Sequence, residues 1–440
     1  METTAASRSL APARPSARSE GRGSGAGRRK HQVNPTASVP ARPLWQREWL
    51  VLPAVLAVAA AGTLALRWAA RNTTAMNQRP TDLLDAYHPM AEAMVRGTFF
   101  QPDGTVLVHR PPGYPLLLAT VYRLTGSLDP RQPAAVWAQR VLMWLTLIPF
   151  YLLIRSACGG GWALAASLGL ATYPFFLFSA ARADYECFYT PFFMLAVLLF
   201  HRGLAGGSWW LFAASGLVFG WGSLIRPFVL YLPLFLVLVV LALKSWRPRA
   251  GGALIMLAAY VLALLPWLYL SNRGRDELVL MRGARAFVFW DGLHSLPGWD
   301  IARRAQQREA QYQVLDSVAD FGRFLREQLR DHPAETIGVY LYKIGLSWYG
   351  TDSGLYQRPI LLVQLVYLMP AVWGAYAAWR RPTWRALWVL SAACIVYHWG
   401  IATVTLSCLR YLVPVMGLVV FFGVAGLTDA LRRARLRWSC

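Results

Sequence analysis

The sequence predicts an all-α polytopic membrane protein with about ten transmembrane helices, and three observations carry that expectation. The 440 residues are 56% hydrophobic and only 15% charged, with a mean hydropathy of +0.35, which is too apolar for ordinary soluble domains. Apolar windows of roughly 17–25 residues recur along the chain, the length that a hydrocarbon core demands of a self-satisfied helix. The 20 Trp and 19 Tyr suit the aromatic belts of two membrane interfaces.

Taken in order, the expected spans are 49–69, 135–155, 161–180, 187–203, 208–225, 228–244, 251–270, 359–379, 385–404 and 411–430. Residues 1–48 are rich in Ala, Arg, Ser, Pro and Gly without an apolar period and read as a disordered basic tail. With that tail inside, every inner segment is positive: Arg155, His201-Arg202, Lys244–Arg249, Arg380–Arg385 and the basic tail at 431–440. Both termini are thus expected in the cytoplasm of a cell whose inner or plasma membrane holds the spans. The formal net charge of +22 reflects this clustering at span ends and in the tail, so nucleic acid is not an expected partner.

Two outer loops remain, 70–134 and 271–358, as parts of a single membrane domain at 49–430. In the long loop, Val318, Phe321, Phe324, Leu325 and Leu329 recur at helical spacing, as do Ile337, Tyr340, Leu341, Ile344 and Trp348. These amphipathic helices are expected to lie in the interface. The five cysteines have no metal-site spacing, although Cys187 and Cys408 fall at outer span ends where a disulfide is chemically permitted.

The first loop carries the chemistry. From Asp82 to Arg96 the apolar residues Leu83, Leu84, Tyr87, Met90, Ala91, Met94 and Val95 form one helix face, opposite Asp85, His88, Glu92 and Arg96, and Gly97 is a natural stop. Asp82 and Asp85 are each read either as helix-start residues that complement free N–H groups or as functional carboxylates. His109-Arg110-Pro111-Pro112-Gly113-Tyr114-Pro115 is expected to be stiff and non-helical, because proline fixes φ and disfavours helix before it. A basic pair on such backbone suits a lipid-linked phosphate, although Arg110 beside headgroups would look the same. The orientation gathers Asp82, Asp85, His109, Arg110, Asp184, Glu186, Arg226 and Arg410 at one membrane face. Arg140 lies inside the second span, where a charge is costly unless it meets a carboxylate or a phosphate.

The series D…Y…A…G followed by R-P-P-G-Y-P-L-L-L-A resembles the first periplasmic loop of bacterial glycosyltransferase family 39, which is related to protein O-mannosyltransferases and the aminoarabinose transferase of lipid A. A-D-Y-E-C-F-Y-T-P at Ala183–Pro191, G-L-V-F-G-W-G-S-L-I-R-P at Gly216–Pro227, L-P-W-L-Y-L-S-N-R at Leu265–Arg273 and R-Y-L-V-P at Arg410–Pro414 resemble later motifs in the same order. The resemblance implies a GT-C helical bundle that inverts a sugar as it moves it from a polyprenyl phosphate to an extracytoplasmic lipid, glycan or protein. It implies a first-loop carboxylate as general base, and cationic groups against the departing phosphate. The family's usual acidic position, four before the Tyr, is here Leu83, so the base falls to Asp85, with Asp82 second. Donor-phosphate binding falls to His109, Arg110, Arg140, Arg226 and Arg410. Glu186, or Asp184 in its place, would support the acceptor site or a divalent cation. A transporter or lipid flippase, and a non-catalytic scaffold on the same fold, are the other function classes that such a chain allows.

Overall fold

The computed structural model describes residues 48–77, 87–100, 110–130, 132–273, 287–294, 296, 298–312, 318–351 and 354–438. The chain divides into Met1–Arg42 and Pro43–Cys440, and all described residues belong to the second unit. Residues 1–47 of the expected N-terminal tail, Asp82, Asp85 and His109 lie outside the described residues.

The described structure is all helical: α1 Glu48–Ala69, α2 Thr74–Asn77, α3 His88–Arg96, α4 Gly113–Thr125, α5 Pro133–Leu145, α6 Leu147–Cys158, α7 Gly160–Ala171, α8 Pro174–Arg182, α9 Glu186–Gly206 and α10 Trp209–Ile225. There follow α11 Leu232–Ala242, α12 Ala250–Asn272, α13 Phe287–His294, α14 Asp300–Tyr312, α15 Val318–Asp331, α16 Pro333–Leu346, α17 Gln357–Trp379, α18 Arg385–Val404 and α19 Val413–Trp438. Seven of the described segments are long and apolar enough to cross a membrane. They are Leu50–Ala69, Pro133–Cys158, Glu186–Gly206, Arg247–Asn272, Gln357–Trp379, Pro382–Val404 and Leu409–Leu436. The span expected at 161–180 is a helix pair, α7 and α8, bent by 56°. Pro174 explains the break: it has no N–H to donate and drives Tyr173 to extended backbone (φ −68°, ψ 121°). Two shorter apolar helices, Trp209–Ile225 and Pro227–Ala242, account for the remaining expected spans.

Glycine decides the closest helix contacts. A Cβ on Gly216 would stand 2.1 Å from the Met256 carbonyl oxygen, and one on Gly220 2.4 Å from the Ala263 Cβ, so this small-x-x-x-small pair lets α10 lie directly on α12. Gly374 and Gly426 do the same for α17 and α19: a Cβ on Gly374 would fall 1.7 Å from the Phe422 carbonyl oxygen.

At one end of the bundle, here the loop face, α3 and α4 pack as a pair. Tyr87, Met90 and Ala91 are buried as the apolar face of the expected first-loop helix, and Gly97 ends it with φ 77° and an N–H donated to the Ala93 carbonyl. The stiff segment is shorter than expected. Helix α4 starts at Gly113 and takes Tyr114 and Pro115 into its first turn, where a missing N–H costs nothing.

Helices α13–α16 form a second layer on the loop face, and here the interfacial expectation is corrected in part. Phe321 and Phe324 turn inward with Trp290, Leu293, Ile301 and Val339 into a small core of their own. Ile337, Leu341 and Ile344 of α16 stay exposed on one face, as the interfacial reading requires. The layer is tied to the bundle through the link that follows α18. Lys343 Nζ donates to the carbonyls of Gly292 and Thr405, both at 2.8 Å, and the Leu409 N–H donates to the Gly350 carbonyl at 2.9 Å. Cys187 and Cys408 are both buried thiols rather than a disulfide, with Cys187 Sγ against the Ser179 carbonyl at 3.2 Å.

Candidate active site

The turn between α8 and α9 places the second acidic motif. Ala183 there adopts the left-handed region (φ 56°, ψ 57°), uncommon and strained for a residue with a Cβ, and holds it with an N–H bond to the Ser179 carbonyl at 2.9 Å. The turn sends Asp184 and Glu186 in different directions. Asp184 Oδ1 meets Arg182 Nε at 3.4 Å, whereas Glu186, 2% exposed at the start of α9, faces the ends of two other elements.

Those elements supply arginines. Arg226 caps the C-terminus of α10 and sets Nη2 3.0 Å from Glu186 Oε1; Arg410, in the helical turn Leu409–Leu412, sets Nε 3.4 Å from the same oxygen. Both guanidiniums also lie over the Tyr185 ring, at 4.2 and 5.5 Å, and near the Tyr411 ring, at 5.1 and 5.5 Å. Two arginines against one carboxylate leave a net positive charge, and the aromatic faces fix the planes of the guanidiniums. Neither contact to Glu186 is oriented as a hydrogen bond, and among the described residues Glu186 Oε2 and the Tyr185 hydroxyl have no hydrogen-bond partner. A cluster so arranged has polar capacity left for a ligand. Burial raises the pKa of the Tyr185 hydroxyl, which the two arginines oppose, so it stays a neutral donor.

The first loop reaches this cluster through aromatic contacts. Tyr87 packs edge-on against Tyr114, with ring centres 5.1 Å apart, and tilted against Tyr185 at 5.6 Å. Tyr114 is held by its hydroxyl to Gln139 Oε1 at 2.9 Å. The glycine of the Arg-Pro-Pro-Gly segment is required sterically, because a Cβ on Gly113 would come within 2.8 Å of the Leu224 carbonyl and of Ile225, directly before Arg226. The basic segment can therefore pass against the end of α10. Arg110 stands at its start, its backbone N–H directed at Met90 Sδ of α3, 3.3 Å away.

Arg140 is placed elsewhere. It donates to the carbonyls of Ala180 and Ala181 at 3.3 and 3.1 Å and lines a separate cavity with Arg67 and Arg182. The structure thus brings Glu186, Arg226 and Arg410 together, turns Asp184 to Arg182 and sets Arg140 in a separate cavity. Sequence reasoning missed Tyr185, Tyr411, Arg67 and Arg182; the first two could have been flagged as aromatic neighbours of Glu186 and Arg410 in their motifs. Among the described residues no three His, Cys, Asp or Glu side chains converge as a metal site would require.

Comparison with known proteins gives two similarities. The family model described as dolichyl-phosphate-mannose-protein mannosyltransferase matches residues 109–270, a stretch that contains the basic segment, the Asp184–Glu186 turn, Arg140 and Arg226. The match covers well under half of the chain, and within it the stretch is similar to that family. No curated protein matches the chain. Among solved structures, it is similar to the archaeal oligosaccharyltransferase AglB from Archaeoglobus fulgidus, a structure in complex with an inhibitory peptide and a dolichol-phosphate. Identity is 14%, the TM-score is 0.45, and the match covers 90% of this chain and 52% of that one, so the chain spans about half the length of that relative.

Proposed function

We propose that the protein is a membrane glycosyltransferase that moves a sugar from a polyprenyl phosphate to a hydroxyl-bearing lipid, glycan or protein on the extracytoplasmic face, with inversion. The observation that supports this most is the Arg226–Glu186–Arg410 cluster, stacked on Tyr185 and joined to the first loop through Tyr87.

In this reading the acceptor oxygen attacks the anomeric carbon while a first-loop carboxylate takes its proton. The bond from the anomeric carbon to the phosphate oxygen breaks, and its electron pair leaves with the lipid phosphate. Asp85 is the base, with Asp82 the second choice; Asp85 is two residues from Tyr87 along the chain. Arg226 and Arg410 stabilise the phosphate as its charge grows, and Arg110 and His109 are further phosphate-binding residues in this reading. Glu186 holds the two arginines close against their mutual repulsion. Asp184 holds Arg182. The loop face is then extracytoplasmic and both termini cytoplasmic, as the basic residues at the opposite span ends favour.

The test is a transfer assay on reconstituted protein with labelled polyprenyl-phosphate sugars, set beside a lipid-flux assay in the same proteoliposomes. Label appearing in a glycosidic product, lost in Asp85→Asn, supports the proposal. Lipid movement without any glycosidic bond, across a panel of hexose and pentose donors, would sink it.

A further inference from the structure

The three basic residues Arg67, Arg140 and Arg182 come from α1, α5 and α8, yet they line one cavity of about 420 Å³ at the loop face. None of its other described lining residues is acidic: they are Met76, Asn77, Pro133, Val136, Trp137 and Ala181. Each guanidinium is held by the protein itself. Arg67 Nη1 donates to the Met76 carbonyl at 3.3 Å and to Asn77 Oδ1 at 3.1 Å, Arg140 to the two carbonyls that end α8, and Arg182 pairs with Asp184. Trp137 lies under Arg140 at 5.2 Å. Three fixed forks of donors around one space suit the tetrahedral oxygens of a phosphate better than any neutral group. The volume falls within the roughly 300–1,000 Å³ usual for small-molecule sites, more than one bare phosphate fills.

The surroundings say what carries the phosphate. The cavity sits at the ends of two segments apolar enough to cross a membrane, Leu50–Ala69 and Pro133–Cys158, which the Trp144 Nε1 bond to Thr63 Oγ1 (3.1 Å) holds side by side. Below it, Leu64 and Val141 present exposed apolar surface, and Trp68 and Trp137 are exposed at the level of the arginines, as headgroup-depth aromatics are. We propose that this cavity binds the phosphate of an anionic membrane lipid whose acyl chains lie along α1 and α5. The site is lined by other residues than the Glu186 cluster, and its occupancy does not depend on transfer activity.

The experiment counts lipids bound to the purified full-length protein by native mass spectrometry, with phosphatidic acid, phosphatidylcholine and inorganic phosphate as probes. Phosphatidic acid should be retained about tenfold over phosphatidylcholine. The double variant Arg67→Gln with Arg182→Gln should bind both lipids alike, and Arg67→Lys with Arg182→Lys should keep part of the preference. If the double variant does not fold, the single Arg67→Gln, at a half-buried guanidinium, carries the same test with a smaller loss. Equal retention of the two lipids by the natural protein, or undiminished preference in the glutamine variants, overturns the proposal. Displacement of phosphatidic acid by millimolar inorganic phosphate overturns the lipid assignment and makes a free phosphate the ligand.

Discussion

Arg226 Nη2 and Glu186 Oε1 stand 3.0 Å apart, one at the residue that caps the end of α10 and the other at the first of α9, with both side chains nearly out of contact with solvent. A buried pair of this kind owes its existence to its partner: removal of either charge strands the other, at a cost of about 3–5 kcal/mol.

Glu186→Gln should therefore lower thermal stability in detergent by that order, because Arg226 and Arg410 would then repel each other with nothing between them. Replacing Arg226 by Met in the same chain should restore part of the loss, since one cation rather than two remains. A melting curve for Glu186→Gln that matches the natural protein would contradict the ion-pair description.

Arg226→Lys keeps the charge but loses the planar group stacked on Tyr185 at 4.2 Å. Transfer should fall by about a hundredfold through kcat, the scale of removing one group that stabilises developing charge, with folding preserved. A change confined to KM would mean that the guanidinium only helps the donor to bind.

Gly113→Val should slow transfer without touching any charged group. Its side chain would meet the Leu224 carbonyl and push the start of α4 away from Arg226. Gly113→Ala should produce a smaller loss in the same direction. Equal rates in all three proteins would show that the segment does not need its close approach.

Stability should rise with pH between about 7 and 10.5 through Lys343. Burial pushes its ammonium down to about 7 from the ordinary 10.5, with Asp291 opposing the shift. The unfolded chain binds the extra proton in that window, so the penalty for burying the charge is full below about 7 and fades as the pH climbs. Lys343→Met should flatten this slope in urea titrations of the detergent-solubilised protein. An unchanged slope would place the pH dependence on another group.

Much of this was legible in the sequence because membrane folding is dictated by coarse features. Length and hydropathy marked the apolar segments that the structure builds as helices, seven of them long enough to cross a membrane. The position of Glu186 beside Arg226 and Arg410 was legible only as convergence at one face. That both arginines would meet the same carboxylate depends on how the ends of α9 and α10 and the turn at Arg410 pack, which no local pattern encodes. The bend at Tyr173 could have been read from Pro174 but was hidden by the unbroken apolar composition around it. The inward turn of Phe321 and Phe324 was not readable, since an amphipathic stripe looks the same whether lipid or a neighbouring helix covers it. Likewise the glycines of Gly216–Gly222, which resemble a family motif, turn out to be helix-packing surface.

The short link from Thr405 to Arg410 has two masters. Lys343 of α16 grips it at Thr405 and the Gly350 carbonyl, in the turn that follows α16, grips it at Leu409, while Arg410 at its far end belongs to the charged cluster. The layer is thus hinged to the Arg226–Glu186–Arg410 cluster like a crank to a shaft: it cannot lift from the bundle without first breaking those bonds or dragging a guanidinium out of register with Glu186.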